Sequence, residues 1–134
     1  MKPAGFPTAT PYMSIEGAAR ALEFYKNAFG AVEIMSQADP DGRIRHAEFK
    51  IGDSPFMLSD YFGHFQYIKS VQMYGGSPVS IFLYVDDADA AFKTAVAAGA
   101  KEISAMADQS YGRSGGVQDP FGIQWWVCTA PAKA

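Results

Sequence analysis

His46 and Glu48 stand one residue apart in Arg45-His46-Ala47-Glu48-Phe49-Lys50-Ile51, a stretch with the alternation of a β-strand. On a strand that spacing sets an imidazole and a carboxylate side by side on one face, where each tunes the other's protonation. Such a pair can orient a ligand or act as a general base, and it can equally be a solvated ion pair of little consequence. A second group is aromatic: Tyr12, Phe82, Tyr84 and Trp126 can wall a pocket that stacks a flat or cationic ligand, with Glu48 supplying negative charge. The same rings can instead fill space between two sheets. Arg113 reads either as a contact for an anionic ligand group or as the partner of a carboxylate such as Asp108. His64 falls in a linker and reads as a surface residue.

These side chains need elements to hold them, and the chain describes its elements twice. Residues 10–34 read as a strand, an amphipathic helix ending in Phe29-Gly30, and Ala31-Val32-Glu33-Ile34. Residues 80–103 repeat the plan, with a helix opened by Asp86-Asp87, then Gly99 and Ala100-Lys101-Glu102-Ile103. Three further strands are expected after each helix: 32–37, 45–51 and 56–60 in the first copy, 102–105, 115–118 and 123–128 in the second. Asp39-Pro40-Asp41-Gly42, Gly52-Asp53-Ser54-Pro55 and Asp119-Pro120-Phe121-Gly122 are turn sequences. The expectation is a single domain of class α+β. Its two tandem βαβββ modules, about 6–60 and 79–130, are joined by an aromatic linker over 61–78.

Strand alternation sorts side chains between a face covered by the helix and an open one. Pro11, Met13 and Ile15 belong to the helix face, Thr10, Tyr12 and Ser14 to the other. Ile81, Leu83 and Val85 oppose Ser80, Phe82 and Tyr84. Ala47, Phe49 and Ile51 oppose His46, Glu48 and Lys50. Ile123, Trp125 and Val127 oppose Gln124, Trp126 and Cys128. The open surfaces are thus aromatic with a few polar groups. Gly115-Gly116 reads as a close approach of backbone rather than a phosphate loop.

Composition narrows the function. With 134 residues, 49% apolar content and net charge −3, the chain can bury a core and carries no basic cluster for nucleic acid. No apolar run is long enough to cross a bilayer and no secretory signal is evident, so a cytoplasmic location is the expectation. Cys128 is alone and reads as a buried structural thiol.

Several motifs together carry a family likeness. They are Ala21-Leu22-Glu23-Phe24-Tyr25-Lys26-Asn27-Ala28-Phe29-Gly30, Val85-Asp86-Asp87, Ala97-Ala98-Gly99-Ala100 and Asp119-Pro120-Phe121-Gly122. In these the chain resembles the vicinal oxygen chelate superfamily, which holds glyoxalase I, extradiol dioxygenases, fosfomycin resistance enzymes and bleomycin-binding proteins. Arg45-His46-Ala47-Glu48 and Gly112-Arg113-Ser114-Gly115-Gly116 look most like its PhnB-like subgroup. The resemblance implies a half-open mixed β-barrel with helices outside, a homodimer, and a divalent metal held by His or Glu from the first and last strands of each module. Carried onto this sequence, those positions fall on Thr10, Ser80, Trp126 and a residue near Ser59, within Met57 to Asp60. Hydroxyls and an indole are poor ligands for a divalent cation, so no metal or other cofactor is expected, although an unusual site from His46, Glu48 and Asp60 is conceivable. The expected function is sequestration of an aromatic or cationic small molecule between the modules. The alternative is a lyase or isomerase with His46 or Glu48 as base. Beyond His46 and Glu48, the residues expected to meet the ligand are Thr10, Tyr12, Met57, Ser59, Asp60, Ser80, Phe82, Tyr84, Arg113, Gln124 and Trp126.

Overall fold

The computed structural model describes residues 1–63 and 69–132. The first module runs β1 (Tyr12–Ser14), α1 (Ala18–Phe29), β2 (Val32–Ala38), β3 (Ile44–Ile51) and β4 (Ser54–Ser59). A short helix, α2 (Val71–Tyr74), precedes the second module of β5 (Ile81–Tyr84), α3 (Ala88–Ala98), β6 (Lys101–Gln109), β7 (Gly112–Gln118) and β8 (Gln124–Thr129). Each module forms a four-stranded mixed sheet, ordered β1-β4-β3-β2 and β5-β8-β7-β6. In each the first strand lies parallel to the last, and the remaining pairs are antiparallel. Among the described residues no helix is long and apolar enough to cross a membrane.

The two helices begin by different means. Asp87 caps α3 with its own carboxylate, which accepts from Ala90 N at 3.0 Å. Gly17 precedes α1 in a left-handed conformation and has no side chain to offer. Its place is taken by Asp60, whose buried carboxylate accepts from Gly17 N (2.9 Å), Ala18 N (3.2 Å) and Ile44 N (2.7 Å). At the corresponding position of the second module, Thr129 Oγ1 accepts from Ala88 N at 2.8 Å and donates to Val85 O at 3.0 Å. Both helices end at glycines, and Gly30 adopts φ 69°, which a side chain would strain.

The helix faces of the two sheets share one core. Trp125 of β8, fully buried, lies with its ring centroid 4.7 Å from Phe29 and 5.0 Å from Tyr25 of α1, and 5.8 Å from Phe56 of β4. Tyr25 also stacks on Phe49 of β3 at 5.4 Å. Helix α1 is therefore held between the two modules, in contact with α3 as well as its own sheet. Full burial of Trp125, Tyr25 and Phe49 contributes roughly 1.5–3 kcal/mol per large apolar side chain.

The alternation expected of β1, β3, β5 and β8 holds, with one face of each strand packed into this core and the other turned away. Three elements depart from expectation. Strands β6 and β7 are longer than predicted and meet in a hairpin at Ser110-Tyr111, because β6 carries register shifts that break its alternation. Helix α2 was hidden in the linker, although Ser70 caps it by accepting from Met73 N and Gly75 ends it at φ 77°.

Candidate functional site

The open face of the first sheet carries a hydrogen-bonded chain of three side chains. Tyr12 on β1 reaches across β4, and its hydroxyl lies 2.8 Å from His46 Nδ1 on β3. His46 Nε2 lies 2.8 Å from Glu48 Oε2. The pair is partly covered, with side-chain exposures of 27% and 18%. Register explains the assembly: Met57 of β4 pairs with Tyr12 on one side and Glu48 on the other, so all three share one face. Ser14 and Ser59 pair on the same face one step along, and Ser14 Oγ is buried with no hydrogen-bond partner among the described residues.

The open face of the second sheet is aromatic. Phe82 pairs with Trp126, and its ring centroid is 5.2 Å from Tyr84 and 6.1 Å from Tyr111. A Cβ on Gly116 would stand 2.6 Å from the Trp126 ring, so the glycine lets the indole lie flat against β7. Gln124 shares this face, where it lines a cleft with Gln118 and the segment Tyr74–Pro78. Phe82 and Tyr84 are 43% and 70% exposed, and Tyr12 of the first sheet is 52% exposed.

The shared core lies on the helix side of both sheets, away from the two open faces. A cavity of about 370 Å³ does lie between β1, α2 and β5, lined by Tyr12, Ser14, Lys69, Tyr74, Val79 and Ile81 among others. Thr10 is half-buried beside β1, and Ser80 lies in a groove with Pro7, Pro11 and Phe82.

Two residues expected at the ligand are occupied elsewhere. Asp60 is on the helix side, holding the start of α1 and β3. Arg113 also points to the helix side, where it donates to Asp89 of α3 at 3.1 and 3.2 Å and lies 3.5 Å from Asp108. The carboxylate reading of Arg113 is thus the observed one, with Asp89 added as a partner from α3. The arginine beside it holds the Asp89 carboxyl below its ordinary range, chiefly through these hydrogen bonds. His64 lies outside the described residues.

The sequence reading also missed Asp119, seen there only as part of a turn. It is buried, and it accepts from Phe121 N, Ile123 N, Trp125 Nε1 (2.9 Å) and Tyr25 Oη (2.6 Å). Burial, with the Asp119 charge alongside, pushes the Tyr25 phenol well above its ordinary range.

The chain matches the family model of the Glyoxalase/Bleomycin resistance protein/Dioxygenase superfamily over residues 13–127, and it belongs to that family. An uncharacterized protein of Mycobacterium tuberculosis is 41% identical over 122 residues, spanning 89% of this chain and 72% of that one. The X-ray structure of the Arabidopsis thaliana gene product At5g48480 superposes with a TM-score of 0.76 at 29% identity, covering 92% of this chain and 98% of that one. A Bacillus cereus PhnB protein, described as a putative 3-demethylubiquinone-9 3-methyltransferase, has the same fold, with a TM-score of 0.73 at 17% identity over 92% and 100% of the two chains.

Register narrows the fourth of the carried-over positions within the Met57 to Asp60 range. Since Tyr12 pairs with Met57 as Phe82 pairs with Trp126, the counterpart of Trp126 is Met57, rather than Ser59. The four positions therefore hold a hydroxyl, a thioether, a hydroxyl and an indole. That set does not fit a divalent cation, which needs imidazole or deprotonated donors to offset its dehydration. Nor do the described residues gather three or more His, Cys, Asp or Glu side chains at any point.

Proposed function

We propose that this protein binds an aromatic or cationic small molecule on its open sheet faces without a divalent metal. The observation that carries the reading is the second open face, where Phe82, Tyr84 and Trp126 are held out of the core and Gly116 is kept bare so that the indole can lie flat. A large apolar surface exposed beside polar groups marks a binding surface more often than chance placement. Glu48 supplies negative charge on the first face for a cationic ligand. In this reading the protein is a homodimer, in which the first open face of one copy looks across the ligand-binding space toward the second open face of the other. A cytoplasmic setting, with Cys128 as a buried reduced thiol, belongs to the same proposal.

A second reading is a lyase or isomerase with His46 or Glu48 as base. It is supported by the Tyr12–His46–Glu48 chain, whose two hydrogen bonds of 2.8 Å orient an imidazole as a general base requires. A ligand screen followed by tryptophan fluorescence and thermal shift separates the two. Under the first reading Trp126→Ala weakens binding strongly. Under the second, His46→Ala and Glu48→Ala abolish turnover while binding persists. Unchanged affinity in Trp126→Ala removes the pocket assignment.

A further inference from the structure

We propose that Tyr12, His46 and Glu48 form a nucleophile, base and carboxylate relay, and that the Tyr12 phenol oxygen is the group it activates, toward electrophilic acyl compounds. This goes beyond ligand binding and does not depend on it. The geometry has the three parts that mark an activated nucleophile: an oxygen within hydrogen-bond reach of a base, and a third group that orients the base. Tyr12 Oη lies 2.8 Å from His46 Nδ1, and His46 Nε2 lies 2.8 Å from Glu48 Oε2.

Hydrogen-bond bookkeeping fixes the direction. An ionised carboxylate can only accept, so Glu48 requires the proton on Nε2 of the neutral ring. Nδ1 is then bare and must accept, and the Tyr12 hydroxyl donates to it. The His46 ring is tilted 48° to the Tyr12 ring with centroids 5.4 Å apart. Tyr12 is 52% exposed, whereas the His46 side chain is 27% exposed. The exposed member of the chain is therefore the phenol and not the imidazole.

In the step this implies, a lone pair of Tyr12 Oη attacks the acyl carbon and the phenolic proton passes to His46 Nδ1. The imidazolium is stabilised by the Glu48 carboxylate, and the leaving group departs as an anion. The product is an aryl ester on Tyr12. Water can then attack that ester and lose one proton to solvent, the acyl group leaves as the carboxylic acid, and the departing Tyr12 phenolate takes its proton back from the His46 imidazolium.

The test is acetylation of the full chain by 4-nitrophenyl acetate, followed by release of 4-nitrophenolate and by peptide mass mapping. Tyr111 and Tyr84, 49% and 70% exposed, serve as internal references in the same molecule. The expected result is a single-turnover burst with the label on Tyr12, faster than on either reference by about tenfold or more. Tyr12→Phe should remove the burst. His46→Gln and Glu48→Gln should each slow labelling of Tyr12 while leaving Tyr111 and Tyr84 unchanged, which also reports that the fold is intact. If His46→Gln fails to fold, Glu48→Gln and the comparison within the wild-type chain decide the matter. Tyr12 reacting no faster than Tyr111 and Tyr84 overturns the proposal. So does a burst that survives in Tyr12→Phe, since His46 would then be the nucleophile.

Discussion

Tyr25 and Asp119 lie 94 residues apart in sequence and are joined by a 2.6 Å hydrogen bond in the centre of the core. The phenol comes from the helix of the first module and the carboxylate from the turn before the last strand of the second. Asp119 also receives the Trp125 indole N–H and two backbone amides, so one buried carboxylate organises the place where the modules meet. Removing the phenol oxygen should cost stability without touching the open faces. Tyr25→Phe is expected to lower the unfolding free energy by about 1–3 kcal/mol, measured by urea titration. Ligand affinity should be unchanged.

The same residue predicts an alkaline limit. Its folded pKa is raised, so the native state holds the phenolic proton more tightly than the unfolded chain does. The resulting stability is fully present below the ordinary tyrosine range and is lost as pH climbs through the folded value. Denaturant midpoints should fall above that range in the wild type and fall less in Tyr25→Phe. Equal slopes in the two proteins would contradict the argument.

Asp60 should matter for stability rather than for ligand. Asp60→Ala leaves three amide donors, those of part-buried Gly17 and of buried Ala18 and Ile44, without their acceptor. A loss of about 2–3 kcal/mol is expected. Asp60→Asn keeps an acceptor oxygen and should recover part of it.

Gly116→Ala tests the seating of the indole. The added Cβ would meet the Trp126 ring at 2.6 Å, so the indole must lift. The expected readouts are a shift in tryptophan emission and weaker ligand binding, with a stability cost of about 1–3 kcal/mol. Unaltered emission would show that the ring does not rest on β7.

Addition of divalent cations should leave the melting temperature where it is. A cation that binds the folded chain raises it by mass action, and Thr10, Met57, Ser80 and Trp126 offer no donor set for one. Stabilisation by stoichiometric zinc or manganese would overturn the metal-independent reading.

Much of this was legible in the sequence because it rests on local rules. Period-two alternation assigned Met13, Ile15, Ala47, Phe49, Trp125 and Val127 to the covered face, and all six are buried. Gly30 and Gly99 marked helix ends correctly. What escaped were long-range pairings. Asp60 caps a helix 42 residues away, Arg113 reaches Asp89 24 residues away, and Tyr12 meets His46 across 34 residues. Spacing along a chain carries no signal for such contacts until strand register is known. Register also picked out Met57 within the Met57 to Asp60 range of one carried-over position, which motif counting could not narrow.

Because the core sits on one side of each sheet and the candidate site on the other, Trp126 is interposed between Trp125 and Val127 without sharing their burden. Under the proposed function, folding and recognition are thereby written on alternate letters of the same strands. Descendants of this chain can exchange Tyr12, Glu48, Phe82 or Trp126 to meet new molecules while the scaffold beneath remains as it was.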